Sequence, residues 1–258
     1  MIKTMNLTKN YGKLTAVKQL DLEVKSGELF GFLGPNGAGK TTTIKMMAGI
    51  LTPTQGQVLL DGIDVHRNPV QAKSLLAYVP DQPNLYEKLS PREFLSFIAD
   101  IYRMDRTTAE RQSNHWLEIF NLSDRADELM GGFSHGMKQK MSLIAALLHE
   151  PRVIFLDEPT VGLDPRSARM IKDLLRTLCK KGVTVFMSTH ILEIAERMCD
   201  RVGIIQNGQL LALGSIEELR TRSHHGQSAD RSSPTLEDLF LELTGGAEYT
   251  EISQMLEE

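Results

Sequence analysis

The sequence predicts an α/β fold: a mixed central sheet, an antiparallel β lobe, and a helical subdomain inserted between sheet strands. Three observations lead there. A short apolar run, Leu29 to Leu33, enters the glycine-rich stretch Gly34 to Thr42, and an apolar pattern at Ile44, Met46 and Met47 follows, giving strand, loop and helix in that order. After Pro151, short apolar runs alternate with helical ones, the βαβ pattern of a parallel sheet. Asp61-Gly62 and Asn207-Gly208 each separate two short apolar runs, and both dipeptides suit the positive φ angles of a tight hairpin turn.

The elements follow in chain order. Leu20, Leu22 and Val24 alternate with polar residues as one strand of the β lobe, which turns through Ser26-Gly27 into the run before the loop. Val58 to Leu60 and Ile63 to Val65 form the first hairpin of that lobe. From about 90 to 148 the pattern is helical. Ser90-Pro91-Arg92-Glu93 supplies a cap, a first-turn proline and a box-closing glutamate. Phe94, Phe97, Ile98 and Ile101, then Trp116, Leu117, Ile119 and Phe120, recur at helical spacing and are expected in the core. Val153 to Leu156 and Val183 to Met187 read as strands, with helices opened by Asp164-Pro165 and running from Ile191 to Met198. Val202 to Ile205 and Leu210 to Leu213 make the second hairpin, and Ser215 to Glu218 caps a short helix. The domain is expected to span 1–222, with a polar linker at 223–233 and a helical tail at 234–258 whose Leu236, Leu239, Phe240 and Leu243 share one face. His224 and His225 lie in the linker without spaced companions, so a solvated loop is expected there rather than a metal site.

Composition narrows the function. At 258 residues, with 41% hydrophobic and 24% charged residues and a formal charge of −4, the chain has no global field that would draw it to nucleic acid or anionic lipid. Cys179 and Cys199 are its only thiols, the amino-terminal residues lack a signal-peptide core, and no stretch of about 18 apolar residues is present to span a bilayer. The expectation is a cytosolic chain whose role at a membrane would need a separate partner.

The chemistry concentrates in two places. Gly34, Pro35, Asn36, Gly37, Ala38, Gly39, Lys40, Thr41 and Thr42 fit G-x-x-x-x-G-K-T with a second threonine. The glycines let backbone N–H groups approach phosphate oxygens, Lys40 reaches the terminal phosphates, and Thr41 offers a hydroxyl to Mg²⁺ at a helix start whose dipole favours anions. Further on, the apolar strand Val153 to Leu156 delivers Asp157 and Glu158 at its carboxyl end, where α/β sheets bind ligands. One carboxylate is suited to Mg²⁺ and the other to polarising an attacking water.

With these motifs in order, the chain from about Ile2 to Arg222 resembles the nucleotide-binding subunit of ABC transporters, a P-loop NTPase of ABC type. The resemblance implies ATP as substrate with Mg²⁺, Asp157 serving the metal, Glu158 as catalytic carboxylate and His190 as the residue that touches the γ-phosphate. It further implies that Tyr11 stacks on adenine and that Gln82 reaches the metal and senses the membrane partner. Gly162-Leu163-Asp164 would cross a dimer interface. The family's LSGGQ element stands here as Phe133-Ser134-His135-Gly136-Met137, keeping Ser134 and Gly136 for contact with the nucleotide of the opposite subunit but placing His135 and Met137 where the family has glycine and glutamine. That variant, and the tail TLEDLFLELTG, resemble the ATPase subunits of ABC-2 type exporters of drugs, antibiotics or sodium. The implied partners are an integral membrane permease and a second ATPase subunit, as a homodimer, with no nucleic acid, at the cytoplasmic face of the cell membrane. A soluble ABC ATPase acting in translation or DNA repair is the alternative; such chains usually carry tandem ATPase domains, zinc modules or a long coiled coil. A binding module without useful hydrolysis and a P-loop kinase are less compatible with Glu158 and His190.

Overall fold

A computed structural model describes residues 1–223 and 236–244. The chain opens with the antiparallel pair β1 (Ile2–Tyr11) and β2 (Leu14–Val24), then crosses to β3 (Leu29–Leu33), which is buried along its whole length. Helix α1 (Lys40–Met47) follows the glycine-rich loop, and β4 (Gln55–Leu60) and β5 (Ile63–Asp64) return to the first sheet, whose order is β2-β1-β4-β5. A short helix α2 (Pro69–Lys73) leads to β6 (Leu76–Val79), the edge of the second sheet.

The helical subdomain comprises α3 (Pro91–Ile101), α4 (Arg106–Ile119) and α5 (His135–Leu147). Thereafter β7 (Val153–Asp157), α6 (Pro165–Lys180), β8 (Thr184–Thr189), α7 (Leu192–Met198), β9 (Arg201–Gln206), β10 (Gln209–Gly214) and α8 (Ile216–Ser223) complete the central sheet and its cover. Its order is β10-β9-β3-β8-β7-β6. The strands are parallel except for β10, which pairs antiparallel with β9, so the sheet is mixed as expected.

Because successive side chains of a strand face opposite ways, this sheet serves two cores. Phe30, Phe32, Phe155 and Phe186 face α1 and the four-stranded sheet, with the Phe30 and Phe186 rings stacked at 5.3 Å. Leu29, Leu33, Ile154, Leu156, Val185 and Met187 face the helices. Both hairpin turns have the positive φ angles their dipeptides suggest: 49° and 80° at Asp61 and Gly62, 49° and 75° at Asn207 and Gly208. The second turn also braces the glycine-rich loop, since Gly208 N–H donates to the Ala38 carbonyl at 2.9 Å.

The capping box of α3 is complete: Ser90 N–H donates to Glu93 Oε2 at 2.9 Å and Glu93 N–H to Ser90 Oγ at 3.3 Å. The expected core of that helix needs correction. Phe94 and Leu95 are buried against α4 and α5, but Phe97 is 41% and Ile101 58% exposed. The apolar arc of α3 is wider than the face its neighbours cover. On α4 and at its C-cap, Leu117 and Phe120 are buried, whereas Trp116 is half-buried and Ile119 reaches the surface. Neither β6 nor α2 was anticipated; both are too short to carry a readable period.

Helix α9 (Leu236–Thr244) packs on α7 and α8, burying Leu236 and Leu239 with Phe240 and Leu243 at the margin of the same core. Leu236 N–H donates to Glu196 Oε1 of α7 at 3.1 Å, and Arg220 of α8 meets the same carboxylate at 2.9 Å. Ser223, where the linker is expected to begin, is the last residue of α8; the rest of that linker, with His224 and His225, lies outside the described residues, as does the end of the tail.

Candidate active site

The glycine-rich loop is held by contacts that exclude side chains. A Cβ at Gly34 would stand 2.3 Å from the Ile205 carbonyl oxygen, and one at Gly39, where φ is 107°, would stand 2.5 Å from that of Ala16. At Gly37, with φ 80°, a Cβ would meet nothing within 4 Å, so this side of the turn is open to a ligand. Gly39 caps α1 without a side-chain acceptor, which leaves N–H groups at the helix start free to receive an anion.

Lys40 is buried and folds back over the loop, donating to the Gly34 and Pro35 carbonyls at 2.7 and 3.1 Å. Burial lowers its pKa, against which the charges of Glu158 and Asp157 act. Its Nζ lies 3.9 Å from Glu158 Oε1.

The two carboxylates are set differently. Asp157 ends β7, is 3% exposed, and accepts from Ser188 Oγ at 2.5 Å, across the register that pairs these residues on β7 and β8. Glu158 leaves the strand with a φ of 48°, a conformation that costs a non-glycine residue and gathers at functional sites. Its Oε1 accepts from His190 Nδ1 at 2.9 Å, which places the proton of a neutral ring on Nδ1. Its Oε2 is buried with no partner among the described residues. An unpartnered buried carboxylate oxygen is costly, and a water in the cleft would satisfy it.

One cleft of about 350 Å³ gathers Tyr11, Asn36, Gly37, Gly39, Lys40, Thr41, Thr42, Asp157 and Glu158. Tyr11 stands at its rim, 48% exposed, with Lys9 Nζ 5.3 Å from the ring centre. Gln82 lines the neighbouring groove together with Thr41 and Asp157. Ser134, Gly136 and Asp164 do not line the cleft. Ser134 caps α5, accepting from Met137 N–H at 3.3 Å, and Asp164 caps α6, accepting from Ser167 N–H and Oγ at 3.0 and 2.6 Å. These bonds hold the Asp164 carboxyl below the usual carboxylate range. The His135 ring lies over Gly162: a side chain there would come within 2.9 Å of its Cδ2.

Sequence reasoning missed Asp81, which lines both cleft and groove, and Ser188, which fixes Asp157. Asp81 could have been suspected as the acidic neighbour of Gln82. Nothing local marks Ser188, because its role depends on strand register.

The family model described as ABC transporter matches residues 17–161, more than half of the chain. The chain belongs to the ABC transporter family. This cassette is 37% identical over 243 residues to the probable multidrug ABC transporter ATP-binding protein YbhF of Escherichia coli (strain K12), covering 94% of the chain but 41% of that relative's length. It is also 37% identical over 248 residues to the Nod factor export ATP-binding protein I of Burkholderia orbicola (strain AU 1054), covering 96% of the chain and 82% of that protein. Among solved structures, the ATP binding subunit of an ABC transporter superposes with a TM-score of 0.86 at 33% identity, over 94% of this chain and 99% of that one. A dimeric, post-hydrolysis cassette, MJ0796 bound to ADP and Pi, superposes with a TM-score of 0.77 at 26% identity, over 83% of this chain and 98% of that one. The cassette therefore has the ABC ATPase fold, and among its described residues no helix is long and apolar enough to cross a membrane.

Proposed function

We propose that this chain is the ATP-hydrolysing subunit of an ABC-2 type exporter and acts as a homodimer that binds two ATP between each phosphate loop and the Ser134 element of the other copy. The observation that carries the reading is the half-built site. Lys40, Asp157 and Glu158 converge on one cleft, whereas Ser134 and Gly136, a second anion-binding helix start, lie outside it. A second copy supplies the missing half.

The residues fit the substrate. Gly37 leaves room for phosphate, Lys40 moves from the loop carbonyls to the terminal phosphates, and Tyr11 offers its ring to the base. Thr41, Gln82 and Asp157 would hold Mg²⁺ through oxygen donors, the set this ion prefers, and the ion when bound neutralises phosphate charge. Glu158 Oε2 accepts a proton of the attacking water and orients it in line with the γ-phosphate, while His190 fixes Oε1 and keeps the carboxylate from turning. Lys40, His190 and the Ser134 helix start stabilise the charge that develops on the phosphoryl oxygens.

Closure of the dimer drives a separate permease, and the ATPase domain of 1–222 sits at the cytoplasmic face of the membrane. The names of its relatives, a probable multidrug ABC transporter ATP-binding protein and a Nod factor export ATP-binding protein, support the coupling to a transporter. The surface just past Gln82 supports the site of contact: the groove there is lined by Leu85, Phe94 and Ile98, and next to it in sequence Tyr86 is 58% exposed beside Phe97, ring centres 5.5 Å apart, an apolar surface suited to a partner segment. To test this, tagged Glu158→Gln protein is trapped with MgATP in native membranes, solubilised, and its companions identified by mass spectrometry. A copurifying polytopic membrane protein is the expected result. Recovery of ribosomal or DNA-repair proteins alone would overturn the exporter reading.

A further inference from the structure

The segment between Gln82 and α3 grips the turn before α5 at several points. Gly131 N–H donates to the Glu87 carbonyl at 2.9 Å, Met130 N–H to the Leu89 carbonyl at 3.0 Å, and Leu89 N–H closes the turn onto the Tyr86 carbonyl at 2.9 Å. The approach is tight enough that a Cβ at Gly131 would stand 3.2 Å from the Glu87 oxygen. The Glu87 side chain then reaches across to Lys138 Nζ at 2.5 Å. Lys138 lies one turn into α5, its N–H bonded to the Ser134 carbonyl at 2.9 Å, and its side chain is 21% exposed. A link therefore runs from the Ser134 turn through Lys138 and Glu87 to Tyr86 without passing through the nucleotide cleft.

We infer that Glu87 and Lys138 are positioning residues that make the Ser134 turn and the Tyr86 surface move as one body. This rests on the reading that ATP engages Ser134 across a dimer and that a permease docks at Tyr86. An ion pair with one partner 60% exposed adds little to stability, so stability alone gives no account of it. Its geometric effect is larger. The two backbone bonds join the loops at Met130 and Gly131, and the ion pair adds a further point of attachment at Lys138, one turn into α5. When an opposing phosphate draws Ser134 inward, α5 carries Lys138, and Glu87 carries Tyr86.

The test uses full-length Glu158→Gln protein with MgATP, following dimer formation by light scattering and amide hydrogen exchange over 84–89. Closure is expected to slow exchange of these amides severalfold. Glu87→Ala or Lys138→Ala should leave dimer formation and melting temperature essentially unchanged but remove most of that protection, and the charge swap Glu87→Lys with Lys138→Glu should restore it. Dimers that form with full protection of 84–89 in the single variants would overturn the link while leaving the functional reading intact. Protection that the swap fails to restore, with folding unchanged, would also overturn it. Absence of any MgATP-dependent dimer in the parent protein would remove the functional reading and this inference with it.

Discussion

The glycine-rich loop and the Ser134 turn each stand at a helix start, a place that favours an anion, yet they are built in opposite ways. The loop is rigid because backbone oxygens press on it: side chains at Gly34 and Gly39 are forbidden by the Ile205 and Ala16 carbonyls, and no side chain caps α1. Its anion site is open and preformed. The Ser134 turn is exposed, and its hydroxyl is bonded to its own helix through Met137 N–H. A Cβ at Gly136 would meet only Leu163 Cδ2 at an ordinary 3.6 Å. The backbone of the first region stands open, with Lys40 bonded back onto the Gly34 and Pro35 carbonyls, whereas the second is satisfied by its own helix and can wait at a surface. That contrast explains why this chain tolerates His135 and Met137 in the second motif while the first matches its pattern throughout.

The contrast can be broken first at the glycines. Gly34→Ala is expected to destabilise the monomer by about 3 kcal/mol, the upper range for forcing atoms into a packed site, and to abolish ATP binding; urea unfolding and binding of a fluorescent ATP analogue measure both. Gly136→Ala should leave the urea midpoint unchanged or raise stability by up to about 1 kcal/mol, as alanine favours a helix, yet reduce MgATP-driven dimerisation. If Gly136→Ala destabilises as much as Gly34→Ala, the two sites are not built differently. Ser134→Ala separates capping from ligand contact: loss of the cap costs about 1 kcal/mol of monomer stability, and dimerisation falls by more than that loss explains.

His135→Gly is a finer probe. Removing the ring from Gly162 should change stability by no more than about 0.5 kcal/mol, as for most surface changes, while altering the rate of dimer closure in stopped-flow scattering. The smallest effect concerns the other end of α5. His149 donates from Nε2 to the Leu76 carbonyl at 3.1 Å, stacks on Tyr102 at 3.7 Å, and has Nδ1 buried without a partner among the described residues. Burial holds its pKa below the usual 6.5, against the Leu76 carbonyl. Its neutral form therefore contributes stability that is present above about pH 6.5 and lost as pH falls through the lowered folded value. Replacing it with glutamine should flatten the acid side of the stability profile.

The sequence showed local chemistry far better than long-range placement. The hairpin turns at Asp61-Gly62 and Asn207-Gly208 and the box of Ser90 with Glu93 are written in neighbouring residues, because their causes are local φ angles and short hydrogen bonds; Gly34 to Thr42 is legible as a contiguous pattern, although the Ile205 and Ala16 carbonyls that require Gly34 and Gly39 come from elsewhere in the chain. Phe97 and Ile101 show the limit. Period revealed the helix, but which flank would be covered depended on how α4 and α5 pack. The hold of Ser188 on Asp157 required the register of β7 against β8, and Glu158 leaving its strand at positive φ had no marker in residue type.

Helix α9 has a consequence for biosynthesis. Its Leu236 and Leu239 close the faces of α7 and α8, and its first N–H is fastened to Glu196. During translation those faces wait for a segment that follows Ser223 by more than ten residues, roughly a second or so at ribosomal speed. For that interval, once α7 and α8 have emerged, the nascent cassette carries an apolar strip that α9 later covers.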